Sequence, residues 1–413
     1  MNTMDKAREG RSLFACLLWA VLLTGCGSKD PPPFPVWSVQ QSSPAARPLP
    51  QNGFVHYVRA AKAAESVKPK YLVKTSFTPD PRRVVLKAIS KALDDAAAGA
   101  KRPCQFLFAP SPPFEPPPYQ RGWRLLGRGL VWRIEDNCEA GDYDKAVFYL
   151  IVATKFGFDL CGGGATDASL GLAIADDARK AIAPYFGRLQ NAHLAKLADG
   201  LTYALKSKPP LETTIANEER NMMAAVQFVQ DCYRLNNTKV LQDNLGVWIK
   251  PTVKYLDDMR KADREKRPAY FQGLADDAKA EVAYCRKQAS LFVAFRQGPE
   301  KRDSGPWWRF SHAFFRTLRP LIKMNDTSLA RTRLLIIQAT LQQRLRRGEA
   351  APPNLEGFSK AVSTDPFTGK PFIYRAEGSD YDVYSVGENL IDDGGETDDA
   401  FLLPDLRTEI QLR

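Results

Sequence analysis

Between Gly387 and Asp399 the chain sets glycines 387, 394 and 395 among the carboxylates of Asp392, Asp393, Asp398 and Asp399. Calcium takes about six to eight hard oxygen donors in adaptable geometry. Glycines let backbone carbonyls turn inward while aspartates bring charge, so this stretch is the strongest metal candidate in the chain. A solvated acidic loop without metal is the competing reading of the same residues. Other chemistry is sparse. His56, His193 and His312 are the three histidines, and none has a second imidazole, thiol or paired carboxylate at zinc-ligand spacing. No GxSxG, HExxH or phosphate-binding glycine loop occurs. Gly162-Gly163-Gly164 precedes a helical stretch and offers either an anion cradle at a helix N-terminus or a flexible interhelical turn. With no strand before it, the turn is the better reading.

The elements that must position these residues begin with an export signal. Lys6, Arg8 and Arg11 precede the apolar run Leu13–Leu23. Such a run rises about 16 Å as a helix, short of a bilayer core of about 30 Å, which fits a secretory signal better than a membrane span. Leu23-Thr24-Gly25-Cys26 follows and resembles the lipobox of bacterial lipoproteins. The resemblance implies cleavage after residue 25 and lipidation of the Cys26 thiol. Gly27 rather than aspartate next to it implies sorting to the outer membrane, facing the periplasm, or else retention on the outer face of the cytoplasmic membrane. Residues 30–50 hold seven prolines and make an extended tether reaching up to about 60 Å. Residues 1–25 are thus a signal peptide and 26–52 a proline-rich tether.

Residues 53–325 read as an all-helical body of antiparallel neighbours. The expected helices are 54–65, 82–99, 119–138, 142–160, 167–187, 190–206, 213–235, 238–264, 269–297 and 307–323, with a further one at 327–347 beyond the body. Gly141, Pro209-Pro210 and Gly348 mark stops, and Pro110–Pro118 separates the first pair from the rest. Five thiols remain after residue 26: Cys104, Cys138, Cys161, Cys232 and Cys285. Five is odd, so at least one is free or bridges between chains. Cys232 and Cys285 lie on apolar helical stripes, where core packing is the better reading than a bridge. Trp307-Trp308-Arg309-Phe310 reads as an amphipathic helix with its aromatics inward. Glu218-Glu219-Arg220 and Lys261–Arg267 read as solvated charge runs. Trp123-Arg124-Leu125-Leu126-Gly127 with Leu130, then Gly141–Ala146 with Leu150 and Ala153, resembles one tetratricopeptide hairpin. By that analogy a concave groove would take a peptide or partner segment.

Residues 326–413 form the last part. The stripe Ala330, Leu334, Ile337, Leu341, Leu345 makes an amphipathic helix, with Asn325 or Asp326 as its cap and Gly348 at its end. Ile373-Tyr374-Arg375 and Tyr381–Gly387, split by Ala376–Asp380, read as a β-hairpin. The fold class is therefore mainly α, a repeat-like helical body with a small C-terminal β-hairpin and loop. The order of helix, Asp365-Pro366-Phe367-Thr368-Gly369-Lys370-Pro371-Phe372, Tyr381–Gly387 and acidic loop resembles the C-terminal part of the type II secretion major pseudopilin. That resemblance implies a calcium loop with the Val386 carbonyl, the Asn389 side chain and the carboxylates of Asp398 and Asp399 as ligands. It departs from the family in having no prepilin leader, and in Asn389-Leu390 where the family carries Asp-Gly.

Composition closes the reading. With 413 residues, 44% hydrophobic and 25% charged, the chain is neither disordered throughout, collagenous nor a polytopic membrane protein. The net charge of +11 is unevenly spread, because 376–413 holds eleven acids and two arginines. An exported basic body points away from nucleic acid and toward anionic lipid, envelope polymer, a protein partner or its own acidic end. The expected function is a non-catalytic, lipid-anchored interaction platform with a calcium-stabilised pseudopilin-like module. The alternatives are a periplasmic hydrolase using paired carboxylates and an accessory factor of a secretion or pilus system.

Overall fold

The computed structural model describes residues 51–67, 79–110, 119–234, 266–298, 317–377, 380–392 and 394. Cys26, the tether up to residue 50, the helix expected at 238–264, residues 307–316 of the one expected at 307–323, Asp398 and Asp399 all lie outside them. Among the described residues there are eleven α-helices and one two-stranded antiparallel sheet. The fold is mainly α with a small C-terminal β-hairpin, and no described helix is long and apolar enough to cross a membrane.

The helices are α1 (Gly53–Glu65), α2 (Pro79–Ala88), α3 (Ser90–Ala100), α4 (Gln120–Glu139), α5 (Tyr143–Leu160), α6 (Ala165–Ile182), α7 (Asn191–Ser207), α8 (Leu211–Arg234), α9 (Arg267–Ala289), α10 (Leu318–Arg346) and the single turn α11 (Lys360–Ser363). The strands are β1 (Ile373–Glu377) and β2 (Asp380–Tyr384). Helix α5 is the hub, packed by α3, α4, α6 and α7. From Val152 to Leu160 every residue of it is buried, as an apolar helix with few polar residues requires. Asp142 starts it by accepting the Lys145 amide at 3.2 Å. Gly141, at φ +74°, makes the left-handed turn that folds α4 back against it.

Close packing around α5 depends on missing side chains. A Cβ on Gly157 would run into the carbonyl of Gly171, and one on Gly171 into that of Gly157, so α5 and α6 cross backbone to backbone. Two apolar clusters result. One joins α1–α7, the middle and C-terminal part of α10 and the hairpin. The other joins the end of α5, α6, α8, α9 and the start of α10. Cys232 and Cys285 sit buried in the second, as their stripes predict, and all five described cysteines are free thiols.

Several boundaries differ from the periodicity. The helix expected at 82–99 is two, α2 and α3, breaking at Ile89 (φ −101°, ψ 7°). α6 stops at Ile182 and continues as a 3₁₀ turn, Ala183–Arg188, with Pro184 in its first turn. α9 ends at Ala289 and only a 3₁₀ turn, Val293–Phe295, follows. The largest correction concerns Asn325 and Asp326. They do not cap a helix but lie buried inside the 29-residue α10. Asn325 Oδ1 accepts from Lys208 Nζ at 2.7 Å, and Asp326 Oδ2 accepts from Arg296 at 2.5 Å. Partners from distant segments satisfy these side chains, so they have no need of the helix backbone. The hairpin reaches closer to its turn than expected, with Glu377 facing Asp380 across residues 378–379, and its second strand stops at Tyr384 rather than Gly387. Ala376, Glu377 and Asp380, expected in the turn, belong to the strands.

The α5–α6 crossing yields a direct test. Gly157→Ala should destabilise the chain by about 1–3 kcal/mol through overpacking, read as a lower urea midpoint. Gly141→Ala carries only the turn's φ strain, since nothing surrounds that position, and should cost less. An equal midpoint for Gly157→Ala and wild type would remove the crossing from the account.

Candidate functional sites

The buried end of α5 carries a polar cluster that its apolar character conceals. Lys155 and Asp159, each 1% exposed, are four residues apart on one helical face. Lys155 Nζ lies 2.5 Å from both Asp159 oxygens, and the hydroxyl of the fully buried Tyr57 donates to Asp159 at 2.7 Å. Burial raises the Asp159 carboxyl to about 6 even against these two partners, and burial likewise raises the Tyr57 phenol. A charged pair four apart in an otherwise apolar run is the sequence signal for this cluster, and motif reasoning passed over it.

The glycine run 162–164 is the turn from α5 to α6, and it is neither an anion cradle nor loose. Thr214 Oγ1 donates to the Cys161 carbonyl at 2.5 Å and Asn217 Nδ2 to the Gly162 carbonyl at 2.8 Å. The first amides of α6 are satisfied by the chain's own carboxylates. Gly164 N donates to Asp167 at 3.2 Å and Ala165 N to Glu218 at 2.9 Å. Acceptors for that helix end are therefore built in. Glu218 is not part of a solvated run as its neighbours suggested. It is buried, and also accepts from Asn221 at 3.1 Å and Thr317 at 3.0 Å. Burial, with the nearby Glu218 charge, pushes Asp167 to about 7. Here two carboxylates do converge, but on backbone amides within the core.

The C-terminal module is organised by Asp365, the first residue of the Asp-Pro-Phe segment and 1% exposed. Its carboxylate accepts from Phe367 N and from Ser385 Oγ, each at 2.8 Å, and from the Val386 amide. Burial raises its pKa despite these bonds. Of the expected calcium ligands, Val386 and Asn389 lie among the described residues. Asn389 Oδ1 accepts from Ile391 N at 3.0 Å, and Leu390 adopts φ +61°, the left-handed conformation that glycine takes easily. Asp392 accepts from Tyr384 Oη at 2.7 Å, Gly394 N at 3.1 Å and Arg375 at 3.1 Å. These donors hold its carboxyl below the usual range, the Tyr384 bond foremost. Glu388 pairs with Lys323, tying the loop to α10. Among the described residues no group of three or more His, Cys, Asp or Glu side chains stands where it could hold a metal.

A cleft of about 330 Å³ opens between α4 and α6. Gly127 lets the helices approach there, since a Cβ would meet Ile174 at 2.5 Å. Val131, Leu170 and Ile174 give it apolar walls. Arg124 and Arg128, one turn apart, stand at one end; Glu135, Asp177 and Lys180 stand at the other. Burial and the neighbouring Arg124 charge lower Arg128 to about 10. His56 and His193 do structural work elsewhere: His56 lies 3.7 Å from Asp95, and His193 Nδ1 is 3.1 Å from Gln190 N at the start of α7.

No protein-family model, curated protein or solved structure matches this chain.

Asp167 gives a test with a definite sign. Its carboxyl titrates at about 7 when folded, against 3.8 as its ordinary value. The folded state thus holds a proton that the unfolded state releases. The stability this proton supplies is complete below pH 3.8 and is lost as pH rises through about 7. The unfolding free energy of wild type should carry this falling component, and Asp167→Asn should flatten the curve across that window. Parallel curves for the two proteins would show that Asp167 is ionised in the fold.

Proposed function

We propose that this chain is an exported lipoprotein, anchored through Cys26 to the outer membrane, whose helical body is a non-catalytic platform for an envelope partner. The observation that carries this reading is the cleft between α4 and α6, with apolar walls, two arginines at one end and an open side. A concave, mostly apolar surface with a few convergent polar groups is what a binding site requires. Asp167 and Glu218, the two carboxylates that converge at the start of α6, are buried and accept from its first amides. The lipobox-like Leu23–Cys26 and the proline-rich tether supply the anchor and the reach. In this reading calcium orders the module through the Val386 carbonyl, Asn389, Asp398 and Asp399, extending a loop already fixed to β1 and β2 by Asp392.

The platform is tested in membranes of a bacterial host. Wild type should take up labelled palmitate, fractionate with membranes and give discrete adducts on chemical crosslinking. Cys26→Ser should lose the label and the fractionation together. Unlabelled wild type would overturn the anchor, and a wild type that forms no adduct would overturn the platform. For the module, calorimetric titration of the full chain should show calcium heat that disappears in Asp398→Asn/Asp399→Asn. Absence of heat at affinities tighter than about millimolar would remove calcium from the proposal.

A further inference from the structure

An amine and a carboxyl are held together in the second half of α5, where water does not reach them. Lys155 and Asp159 are four residues apart, which sets them on one helical face, and each side chain is 1% exposed. Nζ is in contact with both carboxyl oxygens at 2.5 Å. The surroundings are aromatic. Tyr57 packs against Phe156 with ring centroids 4.8 Å apart, and the ring of Tyr203 stands 5.8 Å from Nζ. Asp176 and Lys180 of α6 are also four apart, at 3.1 Å, but that lysine is 43% exposed and stays solvated.

An amine and a carboxyl in contact are the reactants of an amide bond. Bulk water opposes their condensation by mass action and by solvating both charges, and burial removes both obstacles. Fixing two reacting groups side by side is worth an effective concentration of about 10⁵–10⁸ M. Two buried charges also cost more desolvation than one neutral amide, so condensation relieves the fold of that penalty. Burial raises the Asp159 carboxyl to about 6, which brings the neutral acid within reach near neutral pH. The Tyr57 hydroxyl donates to Oδ2 at 2.7 Å, where negative charge gathers as a carbonyl is attacked.

We propose that Lys155 and Asp159 condense to an intramolecular isopeptide bond, Nζ to Cγ, with the Tyr57 hydroxyl donating to the reacting carbonyl. Nζ first passes one proton to Oδ1, leaving a free amine beside a neutral acid. The amine lone pair attacks Cγ, the Cγ–Nζ bond forms and the Cγ–Oδ1 bond breaks. Oδ1 leaves as water, taking a second proton from Nζ, and Oδ2 remains as the amide oxygen. Nothing is oxidised or reduced. The bond staples one turn of the helix on which α3, α4, α6 and α7 pack, and it stands independently of the platform reading.

The test is peptide mapping of the full chain, unfolded and then digested with trypsin. Trypsin cuts after free lysine, so an unbonded chain yields 146–155 and 156–179 as separate peptides. The bonded chain should yield one peptide, 146–179, lighter by one water. Its tandem mass spectrum should lack backbone fragments between 155 and 159, because the ring holds the pieces together. Asp159→Ala and Lys155→Met should each remove the water loss. Tyr57→Phe should slow bonding about a hundredfold, the scale of losing a donor to the attacked carbonyl, read as the bonded fraction in samples quenched at intervals after synthesis. Wild type cut after Lys155 with its mass unchanged would overturn the proposal. So would a water loss that persists in Asp159→Ala or Lys155→Met, which would place the dehydration elsewhere. Bonding of Tyr57→Phe at the wild-type rate would overturn the part given to the hydroxyl. Digestion follows unfolding, so the wild-type map decides the matter even where a variant does not fold.

Discussion

A helix segment buried on every side sets the terms for its neighbours, and the second half of α5 is such a segment. Solvent cannot satisfy anything it carries between Val152 and Leu160, so each polar atom there must find a partner inside the protein. Lys155 and Asp159 answer each other across one turn, and Tyr57 closes the remaining gap from α1. The same burial requires α6 to lie against α5 at backbone distance, which Gly157 and Gly171 permit. Once those two helices are fixed, the glycine turn between them enters the core, and its carbonyls and amides need partners of their own. Thr214, Asn217 and Glu218 supply them from α8. Burial of one helix therefore recruits α1, α6 and α8, and through Thr317 it reaches the start of α10.

The C-terminal module follows the same logic on a smaller scale. Asp365 is a single buried carboxylate that collects donors from Phe367, Ser385 and Val386, drawing the Asp-Pro-Phe segment and the strand after it together. Arg333 of α10 adds a bond to the Thr364 carbonyl at 2.6 Å. The hairpin alone is too small to be stable in water. Phe367, Phe372 and Val383 complete it by entering the main apolar cluster.

What the sequence could reveal was whatever is decided locally. The Gly141 turn, the Gly348 stop and the apolar stripes of α4, α7 and α8 depend on neighbours within a few residues, and periodicity finds them. Glu218 and the pair Asn325–Asp326 were misread for the opposite reason. Their partners, Ala165, Lys208 and Arg296, are far away in the chain, and nothing adjacent marks them as buried. The arginines of the cleft escaped notice because they lie within a helix whose small and aromatic residues drew attention to packing. Of the calcium ligands inferred from resemblance, Val386 and Asn389 stand in a turn whose left-handed position is filled by leucine, so the backbone keeps a conformation for which that side chain is poorly suited.

The unbroken α10 has a mechanical consequence. A 29-residue helix is a rod of about 43 Å. Its first turns lie in one apolar cluster, and its later turns lie in the other with the hairpin docked on them. Nothing along it offers a hinge, because the two residues that would break it are clamped by Lys208 and Arg296. A pull on the hairpin is thus delivered to both clusters at once. The module cannot swing as a detachable appendage, and force applied there is borne by the whole helical body.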